Sequence, residues 1–295
     1  MTTSFHTKPN LYVSHVQLKV SNLARSVAYY EEVIGFKTLK NENGIAYLTF
    51  DGETSVLSLV EVENALPLRE GHTGLYHIAL LLPTVKDLGN LVQHFIQNNV
   101  RIGASDHHVS QALYLNDPDG NGIEIYVDRD PSQWRWESPE SVHMTTVQLD
   151  FNPILAAADG KWDGLPKDTV IGHIHLSVSS IPETREFYTN VLDYEAVLQY
   201  GPQALFISTG RYHHHIGLNT WQSNNGTKAP ANAVGLKSYT IVLQDDDYAL
   251  KVKTQLEQAN YVIETFEEAP EFGGKQAFSV EDPNGIRIIF TTEGK

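Results

Sequence analysis

The feature that most constrains the fold of this chain is a pattern that recurs four times along it. Each copy begins with an alternating strand, continues into an amphipathic helix and ends in short strands, and the four opening strands lie at residues 13–20, 74–80, 171–178 and 235–241. Repeats of this kind bury their apolar faces against one another, so self-similarity is a stronger guide to architecture than local propensity. We name the copies modules 1 to 4 and interpret each as a βαβββ unit.

Modules 1 and 3 match each other, and so do modules 2 and 4. The Asp117-Pro118 turn of module 2 aligns with the Asp282-Pro283 turn of module 4. We therefore predict a tandem duplication of a two-module half, with a first domain at 9–130, a connector at 131–168 and a second domain at 169–292. The connector carries three tryptophans that we expect to be packing anchors rather than a binding site: Trp134, Trp136 and Trp162.

Composition limits the kinds of partner and site. The 36 acidic residues outnumber the 21 basic ones, and a net charge of -15 disfavours nucleic acid and anionic membrane surfaces as partners. Thirteen histidines and no cysteine leave imidazole and carboxylate as the strong metal ligands. The N-terminus shows no targeting pattern and nowhere do 18 apolar residues run together, so we expect a cytoplasmic protein.

The stretch from His107 to Tyr126 sets a histidine, a tyrosine and a glutamate around a tight turn. The run DPDGNG lies between Tyr114 and Glu124, and its proline, glycines and asparagine suit a hairpin turn. The two residues are thus expected on neighbouring strands. Glu124 shares a strand face with Gly122 and Tyr126. A lone strand glutamate more often faces water, so further residues must decide whether it points into a site.

A βαβββ unit used four times, with a histidine on the opening strand and a DPxGxxxE-like turn at the end, resembles the vicinal oxygen chelate superfamily. Its members include glyoxalase I, bleomycin-resistance proteins and extradiol ring-cleaving dioxygenases. The resemblance covers nearly the whole chain apart from the connector. It implies an α+β fold in which the modules form two tandem domains with cup-like mixed sheets.

The His107 to Glu124 stretch also resembles the extradiol dioxygenase motif, and the chain as a whole resembles bacterial two-domain catechol 2,3-dioxygenases. Ser105 departs from the motif, since a glycine or a small apolar residue is usual there. The remaining motif positions match: His107, Leu113-Tyr114, Asp117-Pro118, Gly120 and Glu124.

This resemblance implies an Fe(II) ion held by two histidines and one carboxylate, with Mn(II), Zn(II) or Ni(II) as alternative metals. A small aromatic substrate and dioxygen would be the partners, and a homo-oligomer stays open. Module 4 cannot supply a ligand, because Ser238 and Arg287 stand at the matching positions. The candidate ligands are His15 in module 1, His77 and Glu124 in module 2, and His173 in module 3.

Two pairings of the modules are open. Modules 1 and 2 together would use His15 as third ligand, whereas modules 2 and 3 would use His173. The extradiol family has a Gly-Arg-His-His strand in the module that precedes its ligand-bearing one, and here Gly210-Arg211 begins such a run in module 3. We therefore favour the pairing of modules 2 and 3, with His77, Glu124 and His173 as ligands.

The same strand supplies the acid/base histidine of the family. Aligned backwards from Ile216 this is His214, whereas counting forwards from Gly210-Arg211 selects His213. If the segment is a strand, His213 and His215 lie on the face opposite to His214.

The predicted function is an Fe(II)-dependent extradiol dioxygenase for catechol-type or hydroquinone-type substrates. The resemblance implies that His214 is the acid/base and that His107 and Tyr114 hydrogen-bond the substrate oxygens. One alternative is a glyoxalase I-like isomerase that uses Zn or Ni, and another is a metal-free binding protein of the bleomycin-resistance type. Metal analysis and a methylglyoxal assay would discriminate among them.

Overall fold

The computed structural model describes residues 3–138, 140–266 and 277–293. Residues 267–276, inside the predicted domain 169–292, and Pro139 of the connector lie outside the described residues. The helices are α1 (Leu23–Tyr29), α2 (Val85–Gln97), α3 (Phe151–Ala157), α4 (Ile181–Glu186) and α5 (Asp246–Gln258). The strands are β1 (Tyr12–Val20), β2 (Lys37–Glu42), β3 (Ile45–Thr49), β4 (Ser55–Glu61), β5 (His72–Leu81), β6 (Gly103–Asp106), β7 (Ser110–Asn116), β8 (Gly122–Asp128), β9 (Trp136–Ser138), β10 (Ser141–Val142), β11 (Val170–Ser177), β12 (Glu195–Tyr200), β13 (Ala204–Ser208), β14 (Ile216–Asn219), β15 (Thr227–Lys228), β16 (Gly235–Val242), β17 (Glu264–Phe266), β18 (Ala277–Glu281) and β19 (Arg287–Thr291).

Side-chain caps start the helix of each module. Asn22, Thr84, Ser180 and Asp245 each accept a hydrogen bond from the backbone N–H three residues further on. Such caps satisfy amide groups that a helix cannot pair internally. The α1 and α4 helices of modules 1 and 3 both continue into one π-helical turn, at Tyr30–Ile34 and Phe187–Val191. The match between these two modules therefore extends to their local geometry.

Two large mixed sheets hold the four modules. One has the strand order β17-β18-β19-β16-β1-β4-β3-β2 and combines modules 4 and 1. The other has the order β12-β13-β14-β11-β5-β8-β7-β6 and combines modules 3 and 2, with β15 added to β5. We call them the 1–4 sheet and the 2–3 sheet. The expected α+β fold with curled mixed sheets is confirmed.

The sheets do not follow the two halves of the sequence. In each sheet two opening strands meet antiparallel, β1 with β16 and β5 with β11. Each cup therefore takes one module from 9–130 and one from 169–292. Of the two pairings left open by the sequence, the one that joins modules 2 and 3 is the one observed. The sequence boundaries of the domains stay a prediction.

Buried aspartates at the turns tie the modules of each half together. The carboxylate of Asp117 accepts hydrogen bonds from the backbone N–H groups of Asp119 and Asn121 and from the Tyr30 hydroxyl at 3.1 Å. Asp282 has a similar set of bonds, including one from the Tyr188 hydroxyl at 3.3 Å. Modules 1 and 2, and modules 3 and 4, are thus linked across sheets.

The strand register corrects one detail of the sequence alignment. Parallel pairing sets Ala79 opposite Glu124 in the 2–3 sheet and Thr240 opposite Ile289 in the 1–4 sheet. Ile289, and not Arg287, is therefore the counterpart of Glu124. The expected match with Arg287 was wrong because that position lies two residues too close to the turn. Ile289 packs in a small apolar cluster with Ala277, so no carboxylate stands there.

Candidate metal centre

Three buried side chains converge where the central strands of the 2–3 sheet meet. His77 lies on β5, His173 on β11 and Glu124 on β8. The strand register sets Ala79 directly opposite both His173 and Glu124, and alternation puts His77 on the same face as Ala79. Because Ala79 has only a methyl group, the three longer side chains can meet above it.

The ligand atoms lie at distances that suit a bound metal ion. Glu124 Oε2 is 2.9 Å from His77 Nε2 and 3.2 Å from His173 Nε2, and the two Nε2 atoms are 3.3 Å apart. Two ligands at right angles and about 2.1 Å from an ion lie about 3.0 Å from each other. Two imidazoles and one carboxylate on one face are also the donor set of non-haem Fe(II) oxygenases. The residues present therefore fit such an ion.

The charge of Glu124 is balanced by the two histidines. Burial alone would raise the pKa of this carboxyl, but the charges and hydrogen bonds of His173 and His77 hold its pKa well below the usual range. Burial lowers the pKa of His173 to about 4, so its ring is neutral at pH 7 and keeps a lone pair for a metal. The cluster combines one carboxylate with two imidazole nitrogens, a donor set that a cation would complete.

His107 and Tyr114 lie next to this cluster and bind each other. The predicted hairpin is present, and Tyr114 pairs directly with Glu124 across β7 and β8. The Tyr114 hydroxyl is 2.6 Å from His107 Nε2, and His107 Nδ1 donates to the Thr145 carbonyl at 2.6 Å. In a neutral ring, Nε2 then accepts the tyrosine proton. The tyrosine oxygen keeps lone pairs for a further donor.

His214 ends a buried chain of polar groups. Asp128 Oδ1 lies 2.8 Å from His213 Nε2, and His213 Nδ1 lies 2.8 Å from His214 Nδ1. The ring centroid of His214 is 4.1 Å from that of His173. Burial, followed by the neighbouring histidines, lowers the pKa of His214 well below its usual value. If Asp128 Oδ1 accepts from His213 Nε2, His213 Nδ1 in turn accepts from His214 Nδ1, and the His214 Nε2 atom is left as an acceptor.

The local backbone around these histidines differs from the expectation. Strand β14 begins only at Ile216, and Gly210 and Arg211 are both left-handed, with φ of 61°. Residues 211–215 thus form an irregular turn, and the strand alternation used to predict their faces does not apply. His214 lines the cavity beside the metal cluster, whereas His213 is fully buried behind it.

His15 lies apart from the other candidate ligands. It is on β1 of the 1–4 sheet and lines a separate cavity of about 580 Å³. Among the residues that the structure describes, the cluster with metal-binding geometry is His77, Glu124 and His173. His15 is therefore not brought to the site as an alternative third ligand.

A cavity of about 320 Å³ opens beside the cluster. The connector forms part of its wall through Met144, Thr145 and Thr146.

The connector tryptophans pack against other side chains, as expected. Trp134 contacts Tyr212 and His213, and Trp162 stacks on His94. Sequence reasoning missed the wall residues from the connector, and it missed Asp128. The signal available for Asp128 was its place four residues after Glu124, which strand alternation puts on the same face.

Comparison with known proteins places the chain in a family. The model of the glyoxalase/bleomycin resistance protein/dioxygenase superfamily matches residues 12–125 and 170–290, and the chain belongs to this superfamily. It is 43% identical over 292 residues to the catechol-2,3-dioxygenase of Bacillus subtilis strain 168, which covers 98% of this chain and 99% of that protein. The expected resemblance to catechol 2,3-dioxygenases is thus confirmed, and the chain is an enzyme of that type.

Other similarities are more distant. The chain is 28% identical over 169 residues to biphenyl-2,3-diol 1,2-dioxygenase 2 of Rhodococcus globerulus, which covers 54% of this chain and 86% of that protein. Among solved structures, glyoxalase I from Zea mays has a TM-score of 0.58 at 16% identity, covering 95% of this chain and 92% of that one. A Bacillus subtilis protein provisionally described as a dioxygenase has a TM-score of 0.65 at 14% identity, covering 96% and 86%. These two structures show likeness of fold alone.

Within the described part of the chain, no helix is both long enough and apolar enough to cross a bilayer.

Proposed function

We propose that the protein is an Fe(II)-dependent extradiol ring-cleaving dioxygenase for catechol-type substrates, with hydroquinone-type rings as the second class to test. The observation that carries this proposal is the buried cluster of His77, Glu124 and His173 beside a cavity of about 320 Å³. The donor set is the one that suits non-haem Fe(II). The high identity to a catechol-2,3-dioxygenase over nearly the whole chain supports it.

His77, His173 and Glu124 would hold the iron. When bound, the iron would supply open positions at which both oxygens of a catecholate and dioxygen are brought together. Strands β5, β8 and β11 present the three donors on one face, because the register sets Ala79 opposite both His173 and Glu124 and alternation puts His77 on the same face. The cavity beside the three donors is left for substrate.

His214 would take a proton from a catechol hydroxyl at its Nε2 atom. The chain of hydrogen bonds from Asp128 through His213 to His214 leaves that atom as an acceptor. The same imidazole would return the proton as the ring opens. Because burial lowers the pKa of His214, its ring is neutral when substrate binds and gives the accepted proton back readily.

Tyr114 would bind the other substrate oxygen. Its hydroxyl proton is directed to His107, so the phenol oxygen accepts from the substrate. His107 is held in turn by the Thr145 carbonyl, so it orients Tyr114. In the overall reaction both atoms of dioxygen enter the product, one ring C–C bond beside a hydroxylated carbon breaks, and a muconic semialdehyde forms.

The test is reconstitution under nitrogen with Fe(II), followed by catechol and air. We expect a yellow ring-opened product and oxygen uptake equal to the substrate consumed. If the protein binds iron but cleaves none of a panel of catechols and hydroquinones, the proposal fails. Zinc-loaded protein tested with methylglyoxal and a thiol cofactor provides the comparison with an isomerase.

A further inference from the structure

The cavity beside the metal cluster has an apolar, aromatic side. Trp221 lies against Tyr76 and His175, with ring centroids 5.3 and 5.6 Å apart, and Phe206 lies 5.6 Å from His175 and 4.9 Å from His214. We call Tyr76, His175, Phe206 and Trp221 the aromatic wall. The wall runs from the metal cluster to the surface, where Trp221 is 45% exposed.

No lysine or arginine is among the described residues that line this cavity. Two arginines from adjoining segments have partners elsewhere: Arg129 pairs with Asp106, and Arg211 lies over the ring of Trp136 at 4.3 Å. A negatively charged group in the cavity would therefore find no lysine or arginine among those residues to pair with. The net charge of -15 opposes its approach as well.

The polar groups of the cavity do not replace a cation. Both ring nitrogens of His107 are engaged, one by Tyr114 and one by Thr145. His175 Nε2 accepts a hydrogen bond from Asn219 at 3.0 Å. Apart from the metal cluster and His214, the other polar side chains there are neutral hydroxyls, among them Ser105 and Ser110. Burying a carboxylate costs far more than burying an apolar group unless an opposite charge compensates it.

The size of the cavity allows a substituted ring. A cavity of about 150 Å³ is enough for benzene. The observed 320 Å³ leaves room for a catechol ring with a side chain of a few heavy atoms. Because the metal cluster fixes the two hydroxyl groups, the far side of the ring must lie toward the aromatic wall or the connector.

Resting on the proposed function, we propose that this site selects catechols whose ring substituent is uncharged and apolar, and that it rejects catechols that carry a carboxylate on the side chain. The aromatic wall together with Leu198 receives the substituent. Selectivity comes from contact with these apolar side chains and from the lack of a basic partner in the cavity.

The test compares ligands that differ by one charge. Methyl 3,4-dihydroxyphenylacetate is neutral and 3,4-dihydroxyphenylacetate is an anion, and 3-(2,3-dihydroxyphenyl)propionate with its methyl ester gives the same comparison at the other ring position. Binding to the Fe(II)-loaded protein is measured by calorimetry under nitrogen. We expect each ester to bind at least about tenfold more tightly than its acid. Equal or tighter binding of the acids, or no binding of either ligand, overturns the inference.

Turnover is measured separately in air, so the two proposals can fail independently. Esters that bind selectively but are not cleaved contradict the dioxygenase and leave the selectivity intact.

A variant that places a positive charge in the cavity tests the same selectivity in a second way. Leu198 lies on β12 at the sheet edge and lines the cavity. We expect Leu198→Arg to reduce the preference for the esters at least about tenfold, because it supplies a cation, while the control Leu198→Met keeps it.

Discussion

Glu124 is a buried carboxylate whose nearest partners are two imidazoles rather than a lysine or arginine. Its Oε2 atom lies within 3.2 Å of the Nε2 atoms of His77 and His173. Burial of a carboxylate is costly, and the two imidazoles offset part of that cost. A bound cation removes that cost, so the affinity of the site for metal should depend strongly on this one charge.

The first prediction replaces that charge. Glu124→Gln should weaken Fe(II) binding by at least about 100-fold, since even groups that only orient a ligand are worth 10–100-fold in affinity. Iron per protein chain, measured after desalting, checks it. His15→Gln is the matched control, because His15 lies in the other sheet and should leave iron content unchanged. Loss of iron in the control would instead favour His15 as a ligand.

The second prediction concerns the direction of the His214 proton. An amide at position 128 can donate to His213 Nε2. His213 Nδ1 would then donate to His214 Nδ1, and the proton of the His214 ring would lie on Nε2. Asp128→Asn should therefore lower kcat about 100-fold, the usual contribution of a general base, with little change in KM. Steady-state kinetics at matched iron content test it. An unchanged kcat would rule out the role given to this chain.

The third prediction is a dependence of stability on pH. Burial lowers the pKa of His15 from 6.5 to about 4, so the folded protein binds a proton at His15 less readily than the unfolded chain. The stabilisation is present above pH 6.5 and is lost as pH falls toward 4. Between pH 7.5 and 5.0 the metal-free wild type should lose about 2 kcal/mol more than His15→Gln. Urea unfolding at both pH values measures this, and parallel losses would contradict it.

The residues of the site differ in how far the sequence reveals them. His107, Tyr114 and Glu124 follow from one motif, because a hairpin turn fixes which residues of two strands face each other. Asp128 and Thr145 do not follow from it, because their roles depend on a turn at 210–215 and on the path of the connector. Strand alternation puts Asp128 on the face of Glu124, but the contacts of Asp128 with His213 and of Thr145 with His107 are tertiary features that no local pattern encodes.

At the scale of elements, the close approach of β5 and β8 holds His77 and Glu124 together. Gly122 starts β8, and a Cβ added there would lie 2.2 Å from the carbonyl oxygen of Tyr76 and 3.0 Å from the Cβ of His77. The absence of a side chain at this position is what lets the strand begin so near the ligand. A methyl group would force the two strands apart.

A glycine substitution provides the fourth prediction. Gly122→Ala should destabilise the protein by about 1–3 kcal/mol, the usual cost of overpacking, and should weaken iron binding because the two ligands separate. Gly103→Ala is the control, since a Cβ there would meet its nearest neighbour at 3.6 Å. Urea unfolding and iron content are measured for both. If Gly122→Ala and Gly103→Ala show the same stability and the same iron content, β5 and β8 do not approach closely enough to exclude a methyl group.

The elements themselves were largely predictable. Apolar spacing places a strand and a helix at the start of every module, and the DPDGNG run places the hairpin. The partner of each opening strand was less certain, since any two modules present similar edges. Counting candidate ligands left two pairings open, and the histidine run that begins at Gly210-Arg211 favoured modules 2 and 3. The register error at Arg287 arose because an alignment of turns does not by itself fix pairing within the following strand.

At the scale of the whole molecule, the metal cluster is shared between the two halves of the sequence. His77 and Glu124 come from 9–130 and His173 from 169–292. Strands β5 and β11, which meet at the middle of the 2–3 sheet, belong to different halves. Each half taken alone would therefore expose two opening strands that are interior in the complete fold.

The fifth prediction follows from this exchange. Segments 1–147 and 148–295, expressed separately, should each fail to bind iron in a 1:1 ratio, because neither contains the complete triad. Co-expression should restore binding to a complex of the two segments. Iron content and size-exclusion chromatography provide the measurements. Stoichiometric iron in segment 1–147 alone would support a site built with His15.

The antiparallel contact of β5 with β11 also determines when the metal cluster can be completed during synthesis of the chain. During synthesis from the N-terminus, His77 and Glu124 leave the ribosome well before His173, and the third donor reaches them only when module 3 has folded onto module 2. A prematurely terminated chain without module 3 would then lack the third donor of the metal cluster. The order of the modules thus delays completion of this cluster until most of the polypeptide has been made.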